Sequence, residues 1–338
     1  MRHIAANVLT LLVLLLAVAF VLVEKGKRDW AARGPLEAPA IVEIPSGATM
    51  SEAAERLAAA GALPERTVWG LLPGAGLFRV GARYLGAETD LKKGEYRVPA
   101  GASMPEILAL VTSGRSIQYP ITVPEGLTSW EVVELLKGEE VLTGEIAEIP
   151  AEGSLAPDTY NVDRDTPRAE VIARMQARQE RILAEAWDNR VEQTPLDTPA
   201  EALILASIIE KETGVPEERR KVASVFVNRL RRGMRLQTDP TVIYGITGGK
   251  GPLGRGLRRS ELDEATPYNT YVIQGLPPTP IANPGRASIE AAVSPAETPF
   301  YYFVADGTGG HAFAETLAEH NANVRKWRRI EAERRSGE

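Results

Sequence analysis

Cysteine is absent from the 338-residue chain, and histidine occurs only three times. The first absence excludes thiol nucleophiles, disulfide frameworks, iron–sulfur clusters and cysteine-ligated zinc. Zinc held by histidine alone would need all three, so no metal or other cofactor is expected. Without disulfides, a chain that folds by core burial suits either redox environment. Excess positive charge is also missing. The 39 Lys and Arg stand against 45 Asp and Glu, a net charge of −6, which excludes a nucleic-acid partner held by bulk charge. No Gly-x-Ser-x-Gly elbow surrounds Ser288 or Ser294, so neither serine makes a hydrolase triad with His311 or His320. No Walker or Rossmann glycine motif stands between a strand and a helix. What is present is an ordinary globular composition, 44% hydrophobic and 25% charged. That rules out disorder of the whole and gives enough chain for two modest domains.

From Ile4 to Val23 the chain is apolar except for Asn7 and Thr10 and lacks Gly and Pro. This length fits one helical crossing of about 30 Å of hydrocarbon. Cleavage after Ala17-Val18-Ala19 would leave Phe20-Val21-Leu22-Val23 as an apolar mature N-terminus, so an uncleaved anchor over residues 1–27 is the better reading. Only Arg2 precedes the segment, while Lys25, Lys27 and Arg28 follow it. By the positive-inside rule that count would put the body in the cytoplasm, and function must settle the side.

Residues 28–40, with Gly34-Pro35 and Pro39 among charges, read as a linker. An internal repeat occupies residues 41–150. Val42 to Gly47, Tyr96 to Gly101 and Ile121 to Gly126 each form a short strand and a Pro-x-Gly turn, followed by Thr49, Ser103 or Thr128 as the cap of a helix. Such units bind glycan in LysM-type modules, and equally serve as plain packing elements. From Ala151 to the end the pattern is mainly helical. It includes an amphipathic helix over Ala169–Trp187, a hairpin built from Phe300–Val304 and His311–Phe313, and a polar terminal helix from Thr316 to about Arg334. The expected body is α+β.

Thr198-Pro199-Ala200-Glu201 has the capping-box spacing that starts a helix, and Gly214 is expected to stop it. With Leu205 set at the origin, Glu212 falls at about 340°, inside the stripe of Leu205, Ile208 and Ile209, whereas Glu210 falls at about 140° on a more polar flank. Desolvation and the negative helix end both raise the pKa of a carboxyl placed like Glu212, which prepares a general acid. The plain alternative is a side chain turned to solvent as the helix frays.

The run Leu205 to Gly214 looks like the helix-end Glu-Ser signature of lysozyme-like lytic transglycosylases, with Thr213 in place of the Ser. Further along come Lys221–Leu230, Met234–Gly245, Tyr268-Asn269-Thr270-Tyr271, Gly275–Pro278, Ile281–Gly285 and Tyr302–Ala305. In this order the chain resembles the endolytic murein transglycosylases, also called the YceG-like family, across Ala202 to Asn321, and the anchor and repeats match that family's layout. The resemblance implies a bacterial inner-membrane protein with a periplasmic body, a LysM-like region, and a domain over residues 151–338 that cuts peptidoglycan glycan strands. Peptidoglycan synthases are then possible partners. The departure is the Gly-rich stretch Thr247–Gly251, which alters a cleft rim rather than the chemistry.

Lytic cleavage of the MurNAc–GlcNAc bond uses the sugar's own C6 hydroxyl as nucleophile and gives a 1,6-anhydro end. One acid then suffices, and Glu212 is the candidate. A hydrolase would need a second carboxylate, for which Asp239 is the nearby choice, although Asp239 is more simply the N-cap of a helix opening at Pro240. Gln237, Thr238 and Asn269 are candidates to hydrogen-bond N-acetyl groups or the C6 hydroxyl, and polar loop residues of this kind also satisfy loop backbone. Tyr244 and Tyr271 are candidate sugar-stacking walls, with a core role as the alternative for Tyr244. Asn283-Pro284-Gly285 is first a turn and second a cleft wall. The rival from another class is a non-catalytic peptidoglycan-binding scaffold of the cell-wall synthesis machinery.

Overall fold

In the computed structural model, which describes residues 2–336, the chain begins as one unbroken helix, α1 (Arg2–Ala31). Its stretch Ala6–Ala31 is long and apolar enough to cross a membrane by length and composition. The helix runs past residue 27, where the anchor was expected to end, because its last turn finds partners. Trp30 packs on Phe78 with ring centroids 5.9 Å apart, and Asp29 Oδ2 accepts the Val68 N–H at 2.6 Å.

The chain folds as two compact units. One holds the residues up to Tyr119 with Asn161–Arg164, and the other holds Pro120–Tyr160 and everything from Asp165 on. In the first unit, β1 (Ala40–Ile44) leads into α2 (Met50–Ala59). The short hairpin β2 (Arg66–Thr67) and β3 (Leu72–Pro73) follows, then α3 (Gly74–Tyr84), β4 (Gly94–Val98) and α4 (Met104–Ser113). β1 and β4 pair antiparallel with Val42 opposite Tyr96. Val42, Ile44, Leu57, Phe78, Tyr96, Ile107 and Val111 form its core. The repeat is visible in the backbone: Gly47, Gly101 and Gly126 all take left-handed φ, from 69° to 80°. Only glycine does so without strain, and each is followed by a helix with a full capping box, Thr49 with Glu52, Ser103 with Glu106 and Thr128 with Glu131.

The third repeat does not stay with the first two. β5 (Tyr119–Thr122) precedes α5 (Ser129–Gly138) and β6 (Leu142–Thr143), and β5 pairs with β7 (Thr159–Val162). β8 (Thr166–Pro167) lies parallel to β6. The turn before α5 is fastened to a distant loop, with Gly126 N–H donating to the Asn283 carbonyl at 3.0 Å and Asn283 N–H to the Leu127 carbonyl at 2.8 Å. These bonds tie the turn of the third repeat into the second unit.

α6 (Arg168–Asp188) buries a stripe of Val171, Ile172, Met175, Ile182 and Ala186, as an amphipathic helix should. α7 (Pro199–Glu212), α8 (Arg219–Arg231), α9 (Asp239–Thr247), the short α10 (Arg259–Asp263) and α11 (Arg286–Val293) follow. α6, α8, α9 and α11 all pack on α7. The hairpin of β9 (Tyr302–Ala305) and β10 (His311–Ala314) forms with Phe303 opposite Phe313, and α12 (Leu317–Ser336) ends the described chain.

Candidate active site

α7 opens as its sequence directs, with Thr198 Oγ1 accepting the Glu201 N–H at 3.2 Å. The reciprocal half of the expected capping box is displaced, because the Glu201 carboxylate accepts from the Asp197 N–H at 2.6 Å instead. Gly214 does not stop the helix. The buried, β-branched Thr213 does so in an extended conformation, φ −143° and ψ 129°. A single apolar stripe is also too narrow a description: Ile204, Ala206 and Ser207 are buried along with Leu205, Ile208 and Ile209, since helices surround α7.

Glu210 is the first consequence. Expected on a polar flank, its side chain is only 7% exposed; it lies 3.9 Å from the Arg219 guanidinium and accepts the Gly285 N–H at 2.9 Å. Its neighbour Glu125 lies 4.0 Å from Arg219, and burial, with the Glu210 charge, pushes the Glu125 carboxyl upward. Glu210 is thus spent on holding the α7 terminus to the α8 and α11 starts.

Glu212 points elsewhere. It is partly buried at the last position of α7, and its Oε1 accepts a hydrogen bond from the Thr238 hydroxyl. Desolvation pushes its carboxyl well above the usual range, with the Asp239 charge adding to the rise. The Thr238 hydrogen bond and the positive fields of His311 and Arg229 oppose it without reversing it. A raised carboxyl pKa is the direction that a general acid requires.

The loop before α9 brings Gln237, Thr238 and Asp239 to this carboxyl. Thr238, not Asp239, occupies the N-cap, and it lacks a side-chain capping bond because its hydroxyl is turned to Glu212. Thr238 is anchored by its N–H to Thr270 Oγ1 at 3.0 Å. Gln237 is exposed and sits at φ 52°, a left-handed conformation that costs a non-glycine residue roughly 1–2 kcal/mol. Asp239 is exposed and accepts the Tyr271 hydroxyl at 2.7 Å. Burial and the bond to Asp239 push the Tyr271 phenol strongly upward, so it stays a donor.

Three of the expected sugar contacts have partners within the fold. Asn269 is fully buried, and its Nδ2 donates to the carbonyls of Glu261, Leu262 and Glu264 at 2.6–3.1 Å while its Oδ1 accepts the Tyr271 N–H at 3.0 Å. Asn283 is equally buried. Its Oδ1 accepts the Leu155 N–H at 2.9 Å, and its Nδ2 donates to the Leu127 carbonyl and Ser129 Oγ. Tyr244 donates its hydroxyl to Glu152 at 3.1 Å and packs on Tyr268 at 5.1 Å. Their polar atoms are spent on the fold, which is the role that polar loop groups most often have.

Sequence reasoning missed Arg229 and the pair of Glu218 with His311. Arg229 is nearly buried; its Nε donates to the Tyr301 carbonyl at 2.7 Å and its Nη1 to the Leu236 carbonyl at 2.6 Å, which holds the Gln237 loop to the hairpin. His311 Nδ1 lies 2.8 Å from Glu218, so its partner is a carboxylate and not a serine. Glu218 stands in the charged run Glu217–Lys221 and Arg229 beside Arg231 and Arg232, so nothing in the local sequence distinguishes either. A separate groove of about 700 Å³, lined by Glu185, Arg219, Arg220 and Arg286 among others, does not include Glu212.

A family model described as YceG-like matches residues 42–326, and the chain belongs to the YceG-like family. An endolytic murein transglycosylase of Bacillus subtilis (strain 168) is 31% identical over 318 residues, which cover 85% of this chain and 84% of that protein. One of Streptococcus pneumoniae serotype 2 (strain D39) is 29% identical over 84% of this chain and 57% of that protein. A crystal structure of a YceG-like protein from Listeria monocytogenes is 28% identical, with a TM-score of 0.52 over 85% of this chain and 99% of that one.

Proposed function

We propose that this chain is an endolytic murein transglycosylase that cleaves the MurNAc–GlcNAc bond inside peptidoglycan strands and leaves 1,6-anhydroMurNAc ends. The observation that carries the reading is the Glu212 carboxyl, desolvated at the end of α7 and hydrogen-bonded by Thr238. Protonated Glu212 gives its proton to the glycosidic oxygen as the C1–O bond breaks. The resulting carboxylate takes the proton of the C6 hydroxyl as that oxygen bonds to C1, so no water is consumed and the acid is regenerated. Asp239, exposed and held by Tyr271, tunes Glu212 rather than acting as a second reacting carboxylate. Gln237, Thr238, Asp239 and Tyr271 are the residues of this loop region assigned to the sugar.

Peptidoglycan lies outside the cytoplasm, so α1 anchors the chain in the inner membrane with its N-terminus inside and its body in the periplasm, against the Lys/Arg count. A tethered active site fits termination of nascent strands beside their synthases. Two helices, α2 and α3, between the paired strands β1 and β4, with the β2–β3 hairpin joining the helices, suit a LysM-like glycan-holding role for the first unit. The test is incubation of the purified full chain with uncross-linked glycan strands. Shortened strands with anhydro ends support the reading, and strands left whole favour a non-catalytic scaffold.

A further inference from the structure

The first unit carries an apolar patch that includes none of the residues assigned to catalysis or to the sugar. Trp69, Leu71, Val80, Tyr84 and Leu85 are all more than half exposed, Leu71 at 71% and Tyr84 at 89%. They cluster on one side of the unit. Leu71, Val80, Tyr84 and Leu85 line a groove of about 790 Å³ whose opposite wall is Leu22, Val23 and Gly26 of α1. Contiguous exposed apolar surface of this kind marks an interaction site.

The occupant follows from where the groove lies along α1. The apolar run Ile4–Val23 measures about 30 Å as a helix, the thickness of a bilayer's hydrocarbon, so Leu22 and Val23 stand at its edge. Glu24, Lys25, Lys27 and Arg28 come next, as headgroup-level residues do. The groove runs along α1 from Leu22 to Trp30, so the side chains that line it stand between the edge of the apolar run and about 12 Å beyond it. α1 is fastened to the unit that carries the patch. Trp30 packs on Phe78 and lies so close to Gly81 that a Cβ there would meet its ring at 2.3 Å, and Asp29 accepts the Val68 N–H.

The backbone supplies an independent sign. Val68, Trp69 and Gly70 take φ of 52°, 55° and 84° in the loop between β2 and β3. For the β-branched Val68 and for Trp69 that conformation is strained, and its product is a loop tip that presents Trp69 and Leu71 to the outside. Lys25 Nζ stands 5.9 Å from the Trp69 ring centre. An aromatic ring with a cation beside it, next to a spanning helix, is the composition of a membrane interface.

We propose that the loop tip Trp69–Leu71 and the outer face of α3 at Val80 and Tyr84 dip into the phospholipid interface around α1, so that the first unit is a monotopic second anchor beside the spanning helix. The inference rests on reading α1 as an anchor. It makes the membrane, and not a second copy or a protein partner, the surface that covers the patch. Insertion by about 5–10 Å, as for interfacial elements generally, is enough to bury these side chains.

The absence of cysteine makes the test clean. Single variants Leu14→Cys, Leu71→Cys, Tyr84→Cys and Val191→Cys of the full chain are labelled with an environment-sensitive dye and reconstituted, one copy per disc, in phosphatidylethanolamine–phosphatidylglycerol nanodiscs. Both patch positions are exposed, and a melting curve for each labelled variant confirms folding. The expected result is quenching by lipid-borne nitroxide at 71 and 84 several-fold stronger than at 191, with iodide quenching correspondingly weaker. Lipid quenching at 14 but iodide quenching at 71 and 84 equal to that at 191 overturns the inference and leaves the anchor standing. Failure of lipid quenching at 14 removes the anchor and the inference together. Protection of 71 and 84 from both quenchers shows that protein covers the patch, which also overturns it.

Discussion

Glu210 and Glu212, two residues apart on α7, should respond in opposite ways to the same substitution. Glu212→Gln keeps the shape of the side chain and can still accept the Thr238 hydroxyl, but it holds no proton to give. Cleavage should fall by about 10²-fold or more, the usual contribution of a general acid. Stability should move the other way. Burial raises the folded-state pKa of Glu212 above its unfolded value, so its stability contribution is fully present below the unfolded pKa and is lost as pH rises through the folded one. At a pH above both values, each unit by which the pKa is raised costs about 1.4 kcal/mol. Glu212→Gln should therefore melt at or above the unsubstituted protein at pH 7, and the difference should vanish near pH 4.

Glu210→Gln keeps an acceptor for the Gly285 N–H but loses the charge facing Arg219, whose side chain is only 12% exposed. Glu125 remains near Arg219 and loses a like-charged neighbour, which holds the cost to about 1–2 kcal/mol. In a unit of this size that is a fall in Tm of roughly 2–8 °C, with cleavage by the folded protein within a few-fold of normal. The paired assay is thermal melting and anhydro-end formation for both variants across pH 4 to 8. An inactive Glu210→Gln beside an active Glu212→Gln would refute the assignment of the acid, and two active variants would refute a catalytic role for the end of α7.

Thr238→Val removes the hydroxyl that lowers the Glu212 pKa, so the alkaline limb of the kcat/KM profile should move to higher pH; a shift to lower pH would contradict the hydrogen bond. Asp239→Asn removes a charge that raises that pKa, so the same limb should move down, with less than about a 10-fold loss at its new optimum, since one acid suffices. A loss as large as that of Glu212→Gln would point to a two-carboxylate hydrolase. Asn269→Ala strands three backbone carbonyls, at about 1 kcal/mol each. It should lower Tm by several degrees and leave KM unchanged at a temperature where the variant is folded; raised KM with unchanged Tm would restore Asn269 to the sugar.

Much of the local structure was legible because it is written in short-range chemistry. Thr49, Ser103 and Thr128 cap helices through Glu residues three positions on, and the turn glycines before them need left-handed φ wherever the chain goes afterwards. The start of α7 at Thr198-Pro199 and the inward face of Glu212 follow from the same helical period. What stayed hidden depends on partners far along the chain. Glu210 is buried by Arg219 and by Gly285, a residue 75 positions away. Thr238 gives up its cap role because Glu212 stands across from it. Asn269 and Asn283 read as sugar ligands only until the carbonyls they bind are seen. The third repeat has the same sequence grammar as the first two, yet its turn is fastened to Asn283, and no repeat pattern contains that information.

The central claim is that the cut is intramolecular, with the C6 hydroxyl as nucleophile and Glu212 as the single acid and base. The most direct measurement is mass spectrometry of the new reducing-side ends made by the purified full chain in water labelled with heavy oxygen. The expected ends are lighter by one water than a hydrolysed strand, carry no label, and disappear with Glu212→Gln. Labelled ends at the full hydrolysed mass would contradict the account.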